Sequence, residues 1–121
     1  MKLVLDSDPS LVTVKRYAAG EIEAGGQLLR APCLVSAAGV LADWSARSPE
    51  SLAAADLEAV YALKPSVLLL GCDAPGRLPL GTRRALEARG IAVESRGLGA
   101  ACRTYNVLVA ELRPVVAGLF P

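Results

Sequence analysis

Residues 97–113 read GLGAACRTYNVLVAELR, which joins a glycine-rich entry, an apolar stripe and the polar triplet Thr104-Tyr105-Asn106. Apolar positions recur every three or four residues and continue beyond this stretch, at Ala101, Tyr105, Leu108, Leu112, Val115 or Val116, and Leu119. That spacing is typical of a helix with one buried face. It predicts a final helix from near Gly99 to Leu119. We expect a kink or a break near Ala110 to Pro114, because proline removes a backbone hydrogen bond.

The polar residues of this predicted helix have different expected roles. Tyr105 lies on the apolar stripe, so its ring should pack inward while its hydroxyl reaches a polar edge. Asn106 is unfavourable in a helix interior unless its amide has a partner, so we expect it to bond a neighbouring loop. Glu111 and Arg113 are predicted to be solvated or paired surface groups.

Upstream of this stretch the chain alternates helix and strand. The predicted elements are a helix after Ser48-Pro49-Glu50 that stops at Pro65, a strand at 66–70 ending on Gly71, a helix at 79–89 closed by Gly90, and a strand at 91–95. After Ser66 the strand at 66–70 is continuously apolar, which indicates burial on both faces. Strands joined through helices usually pair in parallel with right-handed crossovers.

The first 44 residues favour antiparallel strands. β-branched and apolar runs fall at 11–17, 27–30, 33–36 and 40–44, separated by turn signals at Gly25-Gly26, Pro32 and Gly39. No linker, repeat or change of composition divides the chain. The sequence therefore predicts a single domain over residues 1–121, of mixed α/β class, with a β-rich N-terminal half and a β-α-β-α C-terminal half.

Composition narrows the classes of function. The chain has 121 residues, 53% of them hydrophobic and 4% aromatic, with a net charge of +1. This balance disfavours nucleic acid as a partner, since there is neither a basic stripe nor a set of stacking rings. No apolar run is long enough for a membrane span, and the N-terminus has no signal-peptide or presequence pattern, so a cytoplasmic location is expected. The excess apolar surface favours cover by a protein partner or a second copy.

The reactive side chains are few. The chain has no histidine, which removes imidazole-based catalysis and imidazole metal sites, and no cofactor is predicted. The three cysteines, Cys33, Cys72 and Cys102, are widely spaced and odd in number. We therefore expect reduced, buried thiols, as in a cytosolic protein. Abundant alanine, glycine and arginine suggest a bacterial origin.

Taken together, several segments resemble a small-domain family that includes mitochondrial complex I assembly factor 3, the adipogenesis-associated small domain protein and many uncharacterised bacterial proteins. The resemblance covers nearly the whole chain and is carried by Trp44, the strand ending at Gly71, residues 90–94 (GIAVE), Ala101, 104–108 (TYNVL), 111–113 (ELR), Val115, Val116 and Leu119. It implies a three-layer domain with a mixed sheet, no established catalytic activity, and a role through protein contacts. The chain departs from the family pattern at Pro114.

Two loops are candidate binding elements, because ligands of open α/β sheets collect beyond the carboxyl ends of strands. Residues 71–77 follow the buried strand, and residues 96–100 open the final helix, whose N-terminus attracts anions. The candidate ligand residues are Gly71, Cys72, Asp73, Arg77, Gly99, Cys102 and Arg103. For both loops the favoured alternative is an ordinary glycine turn.

Cys102 and Trp44 each have two interpretations. A helix dipole and Arg103 would lower the pKa of the Cys102 thiol and make it the best nucleophile, alone or paired with Cys72, but burial in the core is favoured. Trp44 is a core residue or, if exposed, an interface anchor. Two hypotheses of function follow: a non-enzymatic protein-interaction module, which ranks first, and a small-molecule or anion-binding protein, or a thiol-dependent enzyme, using the two loops.

Overall fold

The computed structural model describes residues 11–74 and 76–121. Its elements in chain order are β1 (Val14–Ala18), β2 (Glu21–Ala24), β3 (Gln27–Leu29), β4 (Cys33–Ser36), β5 (Gly39–Leu41), α1 (Ala54–Ala62), β6 (Val67–Cys72), α2 (Leu80–Ala88), β7 (Ala92–Arg96), α3 (Leu98–Ala110) and β8 (Val115–Phe120). A single 3-10 turn, Pro49–Ser51, precedes α1. None of the helices in the described ranges is long and apolar enough to cross a membrane.

The strands form two sheets. A small antiparallel sheet has the order β1-β2-β3, and a mixed five-stranded sheet has the order β5-β4-β8-β6-β7. In the larger sheet β6 pairs in parallel with both β7 and β8, while β4 is antiparallel to β8 and β5. The predicted α/β class with a mixed sheet is confirmed, and so is the parallel pairing of the two strands around α2.

Each face of the five-stranded sheet supports a separate apolar cluster. One cluster joins the sheet to α3 and to the small sheet, through residues such as Leu69, Tyr105 and Ile22. The other joins the opposite face to α1 and α2, through residues such as Leu68 and Leu86. The layers predicted from the sequence therefore lie on both sides of one central sheet, and β6 and β8 are buried between them.

The predicted continuation of the final helix to Leu119 is wrong. α3 ends at Ala110, and Val115–Phe120 form β8, which lies between β4 and β6 at the centre of the sheet. Leu112 has a φ of 62°, and Pro114 then prevents any return to helix. Every residue of β8 is buried, and its sequence is apolar throughout. Apolar residues therefore occur at the three-to-four-residue spacing of a helix as well as at the alternate positions of a strand.

The turn predictions are mostly confirmed. Gly25 and Gly26 both have positive φ and join β2 to β3, as a two-residue hairpin turn requires. Gly90 has a φ of 78° directly after α2. The helix expected after Ser48-Pro49-Glu50 begins later than predicted, since those residues form only the 3-10 turn and α1 starts at Ala54.

Candidate functional site

The two candidate loops lie at the same edge of the sheet. Gly71 of β6 lies opposite Arg96 of β7 in the parallel register. After β6 the chain crosses to one face of the sheet, where α2 packs. After β7 it crosses to the opposite face, where α3 packs. Adjacent parallel strands whose following helices lie on opposite faces leave a crevice between their carboxyl ends, where α/β proteins commonly bind ligands.

Asp73 uses its carboxylate to hold this edge together. Its Oδ1 atom accepts a hydrogen bond of 2.8 Å from the backbone N–H of Leu98, the first residue of α3. A carboxylate at a helix N-terminus satisfies an unpaired donor and complements the helix dipole. The place considered for a bound anion is therefore taken by the protein's own side chain.

The candidate glycines serve close packing. A Cβ atom on Gly71 would lie 2.7 Å from the Ala101 Cβ and 2.9 Å from Leu119 Cδ2. A Cβ atom on Gly99 would lie 2.6 Å from Cε2 of the Tyr17 ring. The missing side chains thus let α3 approach β6 on one side and let Tyr17 of β1 cover the start of α3 on the other.

Arg103 and Arg77 lie in different surroundings. The guanidinium of Arg103 donates a hydrogen bond to the Tyr17 hydroxyl and lies 5.8 Å from the centre of that ring. Arg103 therefore connects α3 to the small sheet and does not face the crevice with Arg77. Arg77 lines an open cleft beyond β6 and β7. The structure does not gather the seven candidate residues into one pocket.

That cleft has a volume of about 600 Å³ and is lined by Gly76, Arg77, Leu78, Leu80, Arg83 and Ser95. Arg83, which sequence reasoning missed, lies in the first turns of α2 and donates a 3.2 Å hydrogen bond to the carbonyl of Val93. A carboxylate also stands nearby, since a Cβ on Gly76 would be 3.5 Å from Glu50 Oε2. Two guanidinium groups therefore line the cleft, and one acid lies beside Gly76. In the described ranges no three cysteine or acidic side chains are grouped so as to hold a metal ion.

Cys102 is fully buried, as the favoured interpretation held. Burial raises the pKa of its thiol to about 11, Arg103 lowers it less, and Asp73 raises it further. The lowered pKa considered from the sequence is therefore wrong. Cys102 shares its cluster with Cys33, whose pKa burial raises to about 12, whereas half-buried Cys72 packs against the cluster on the opposite face of the sheet.

Native Cys102 should react slowly with iodoacetamide. The thiolate is the reactive form, so a pKa of about 11 leaves little of it at neutral pH. Its alkylation rate should rise about tenfold per pH unit up to that pKa, well past the ordinary cysteine value near 9. Mass spectrometry of each cysteine over a pH series measures this, with half-buried Cys72 as the internal control. A plateau of the Cys102 rate below pH 9 in the folded protein would contradict the assignment.

Tyr105 and Asn106 of α3 are hydrogen-bonded to the backbone of residues 12–14. The Tyr105 hydroxyl donates a 2.6 Å hydrogen bond to the Val12 carbonyl. Asn106 makes a paired contact with Val14, accepting from its N–H at 2.9 Å and donating to its carbonyl at 2.8 Å. Burial raises the pKa of Tyr105, so its hydroxyl stays protonated as a donor. The inward packing of Tyr105 is confirmed, and the partner of Asn106 is the start of β1.

The interpretation of Trp44 as an exposed interface anchor is wrong for this chain, because the side chain is only 5% exposed. Its ring lies 5.4 Å from that of Phe120, and its Nε1–H donates a 2.9 Å hydrogen bond to the Asp56 carbonyl. A Cβ on Gly118 would be 2.9 Å from the indole. Trp44 is thus a core residue that joins α1 to β8.

Comparison with known proteins identifies the family of this chain. Residues 14–120 match the model of a family described as protein of unknown function (DUF498/DUF598). The chain belongs to this family. A zebrafish (Danio rerio) relative named NADH dehydrogenase [ubiquinone] 1 alpha subcomplex assembly factor 3 is 35% identical over 99 residues, or 79% of the chain. The chain spans 56% of that relative's length. The family resemblance seen in the sequence is confirmed.

Solved bacterial structures share the fold of this DUF498/DUF598 member. A Bordetella parapertussis protein superposes with a TM-score of 0.83 at 34% identity, covering 94% of this chain and 98% of that one. A Bordetella pertussis protein described as a Mth938-like domain gives a TM-score of 0.80 at 30% identity, covering 100% and 92%. The fold is therefore that of a Mth938-like domain.

Proposed function

We propose that this chain acts through protein contacts, as a non-enzymatic module that assists the assembly of a multi-subunit complex. The zebrafish relative is named as an assembly factor of an NADH dehydrogenase [ubiquinone], so an enzyme of that class is the first candidate for the assembled complex. A cytoplasmic location is part of the proposal.

The observation that carries the proposal is that the polar side chains of the candidate site are hydrogen-bonded to other parts of the fold. Asp73 bonds the start of α3, and Tyr105 and Asn106 bond the backbone of residues 12–14. Cys102 is buried with a raised pKa. Groups that are already bonded within the fold, or protonated and buried, are poorly suited to act on a substrate. Their arrangement supports a structural role.

Large apolar side chains point outward over several elements instead. Leu41 and Leu63 line a groove of about 210 Å³ between the edge strand β5 and the end of α1. Val107 and Leu112 are exposed at the end of α3, and Leu80 is exposed at the start of α2. Exposed apolar groups of this size commonly mark surfaces that contact other proteins.

Deleting the gene tests the proposal in a native host that also carries a respiratory NADH dehydrogenase. We expect native gels to show less of the full-size enzyme and more partial assemblies, together with crosslinks from the tagged protein to enzyme subunits. Unchanged assembly and no such crosslinks would refute the proposal.

A Cys102→Ala variant serves as the matched control for chemistry. If the protein acts by contact, this variant restores assembly as well as the original chain does, once its folding has been verified by circular dichroism. If a folded Cys102→Ala variant fails to restore assembly, the thiol is required and contact alone does not account for the function.

The cleft beside Arg77 and Arg83 supports a second candidate function, the binding of a small anion. Two guanidinium groups and Ser95 offer donors of the kind that hold carboxylates and phosphates. Inorganic phosphate and a panel of carboxylates should then raise the Tm of the original chain but not that of an Arg77→Gln/Arg83→Gln variant. Equal shifts in both proteins, or none, would remove this candidate.

A further inference from the structure

The second residue after α3 combines two unfavourable features. Leu112 has a φ of 62°, a left-handed conformation that favours glycine, and its side chain is 73% exposed. No other large apolar side chain in the described ranges is as exposed. In the isolated chain both the backbone and the solvent disfavour leucine at this position, whereas burial against another molecule would offset the cost.

The backbone around Leu112 is nevertheless held in a regular helix ending. The N–H of Leu112 bonds the Val109 carbonyl at 3.0 Å, and the N–H of Arg113 bonds the Leu108 carbonyl at 3.1 Å. These two bonds are the pattern of a Schellman motif. Leu112 is therefore presented at a defined place at the end of α3, with Val107 exposed in the preceding turn.

Opposite charges flank the exposed leucine. Glu111 and Arg113 are both exposed, and neither takes part in the ion pairs found in the described ranges, which are Arg16–Glu23, Arg30–Glu21 and Arg96–Glu94. When two copies of the Glu111-Leu112-Arg113 segment run in opposite directions, the acid of each copy faces the base of the other. A two-fold axis at Leu112 would place Glu111 of one copy against Arg113 of the other, and the reverse, around a leucine–leucine contact.

We propose that two copies of this chain associate through the surface formed by Val107, Glu111, Leu112 and Arg113. The charge order selects a second copy as the occupant, because each ion pair is repeated by the symmetry of an isologous contact. This inference rests on the proposed function only in that the surface acts by protein contact. It identifies one protein partner as a second copy of this chain.

Charge reversal tests the two-fold arrangement directly. Sedimentation velocity at micromolar to millimolar concentrations should show a monomer–dimer equilibrium for the original chain. Glu111→Arg and Arg113→Glu should each be monomeric, because every copy then presents like charges to its partner. An equimolar mixture of the two variants should dimerise again. A monomeric original chain, dimers of either single variant, or no association in the mixture would each overturn the proposal.

A Leu112→Gly variant separates contact from folding. Glycine relieves the left-handed backbone, so the variant should be at least as resistant to heat as the original chain. Its dimer dissociation constant should nevertheless rise about thirtyfold, as for loss of a central apolar anchor. Leu80→Ala, which removes another exposed leucine, is the matched control and should leave the constant unchanged. An unchanged constant in Leu112→Gly would overturn the proposal. A monomeric protein that still supports complex assembly would refute this inference alone.

Discussion

Replacing Trp44 with alanine should lower the free energy of unfolding by about 3–5 kcal/mol. The indole is buried against Phe120 and lies over Gly118, so its removal leaves a cavity between α1 and β8. It also leaves the Asp56 carbonyl without its 2.9 Å hydrogen bond. Urea denaturation followed by circular dichroism measures the loss.

Trp44→Phe is the matched control for this cavity. Phenylalanine keeps most of the apolar volume but cannot donate to Asp56, so we expect about 1–2 kcal/mol of destabilisation. If Trp44 were an interface anchor, alanine would leave the stability of the isolated chain nearly unchanged. A loss of less than about 1 kcal/mol in Trp44→Ala would contradict its core position.

The second large effect is expected at Gly71. Valine there would bring side-chain atoms into Ala101 and Leu119, which already lie 2.7 Å and 2.9 Å from the position of a first Cβ atom. Both distances are shorter than real Cβ contacts, so the strand and α3 must separate to make room. We expect Gly71→Val to lower the free energy of unfolding by about 3 kcal/mol, measured by the same denaturation.

Gly81 provides the control for Gly71. It lies within α2, and a Cβ atom added there would meet nothing within 4 Å, so alanine adds helix propensity without a clash. Gly81→Ala should raise the free energy of unfolding by about 0.5–1 kcal/mol. If Gly71→Val proved as stable as the original chain, the close approach of α3 to β6 would be wrong.

Local signals were sufficient for much of the fold. The continuously apolar run at 66–70 predicted a doubly buried strand, and β6 is one. Gly25-Gly26 and Gly90 marked turns that only positive φ angles allow, and the structure has them. These features depend on neighbours in sequence, so they can be interpreted without knowing what packs against them.

The end of the chain shows where such signals fail. A strand that is buried on both faces is apolar at every position, so residues 115–120 also satisfied a helical spacing. Pro114 followed by Val115 and Val116 was the signal for a strand, because proline ends a helix and β-branched residues favour strands. Of the predicted kink or break near Ala110 to Pro114, the break is confirmed, and it is the boundary between α3 and β8.

The candidate site depended on long-range contacts that the sequence does not display. The bond from Leu98 to Asp73 spans 25 residues, and the bond from Val14 to Asn106 spans 92. A free carboxylate and a capping carboxylate look alike in a sequence. Arg83 was missed for the same reason, since only the fold brings α2 beside β7.

Asn106→Ala gives the most direct test of whether the polar residues of α3 hold the fold together. Alanine would leave both the N–H and the carbonyl of Val14 without the bonds of 2.9 Å and 2.8 Å that Asn106 now supplies. The measurement is the free energy of unfolding of this variant beside the original chain. We expect a loss of about 2 kcal/mol, since two partly buried backbone groups lose their partner. A loss below about 0.5 kcal/mol, the range of an ordinary surface substitution, would contradict the structural role.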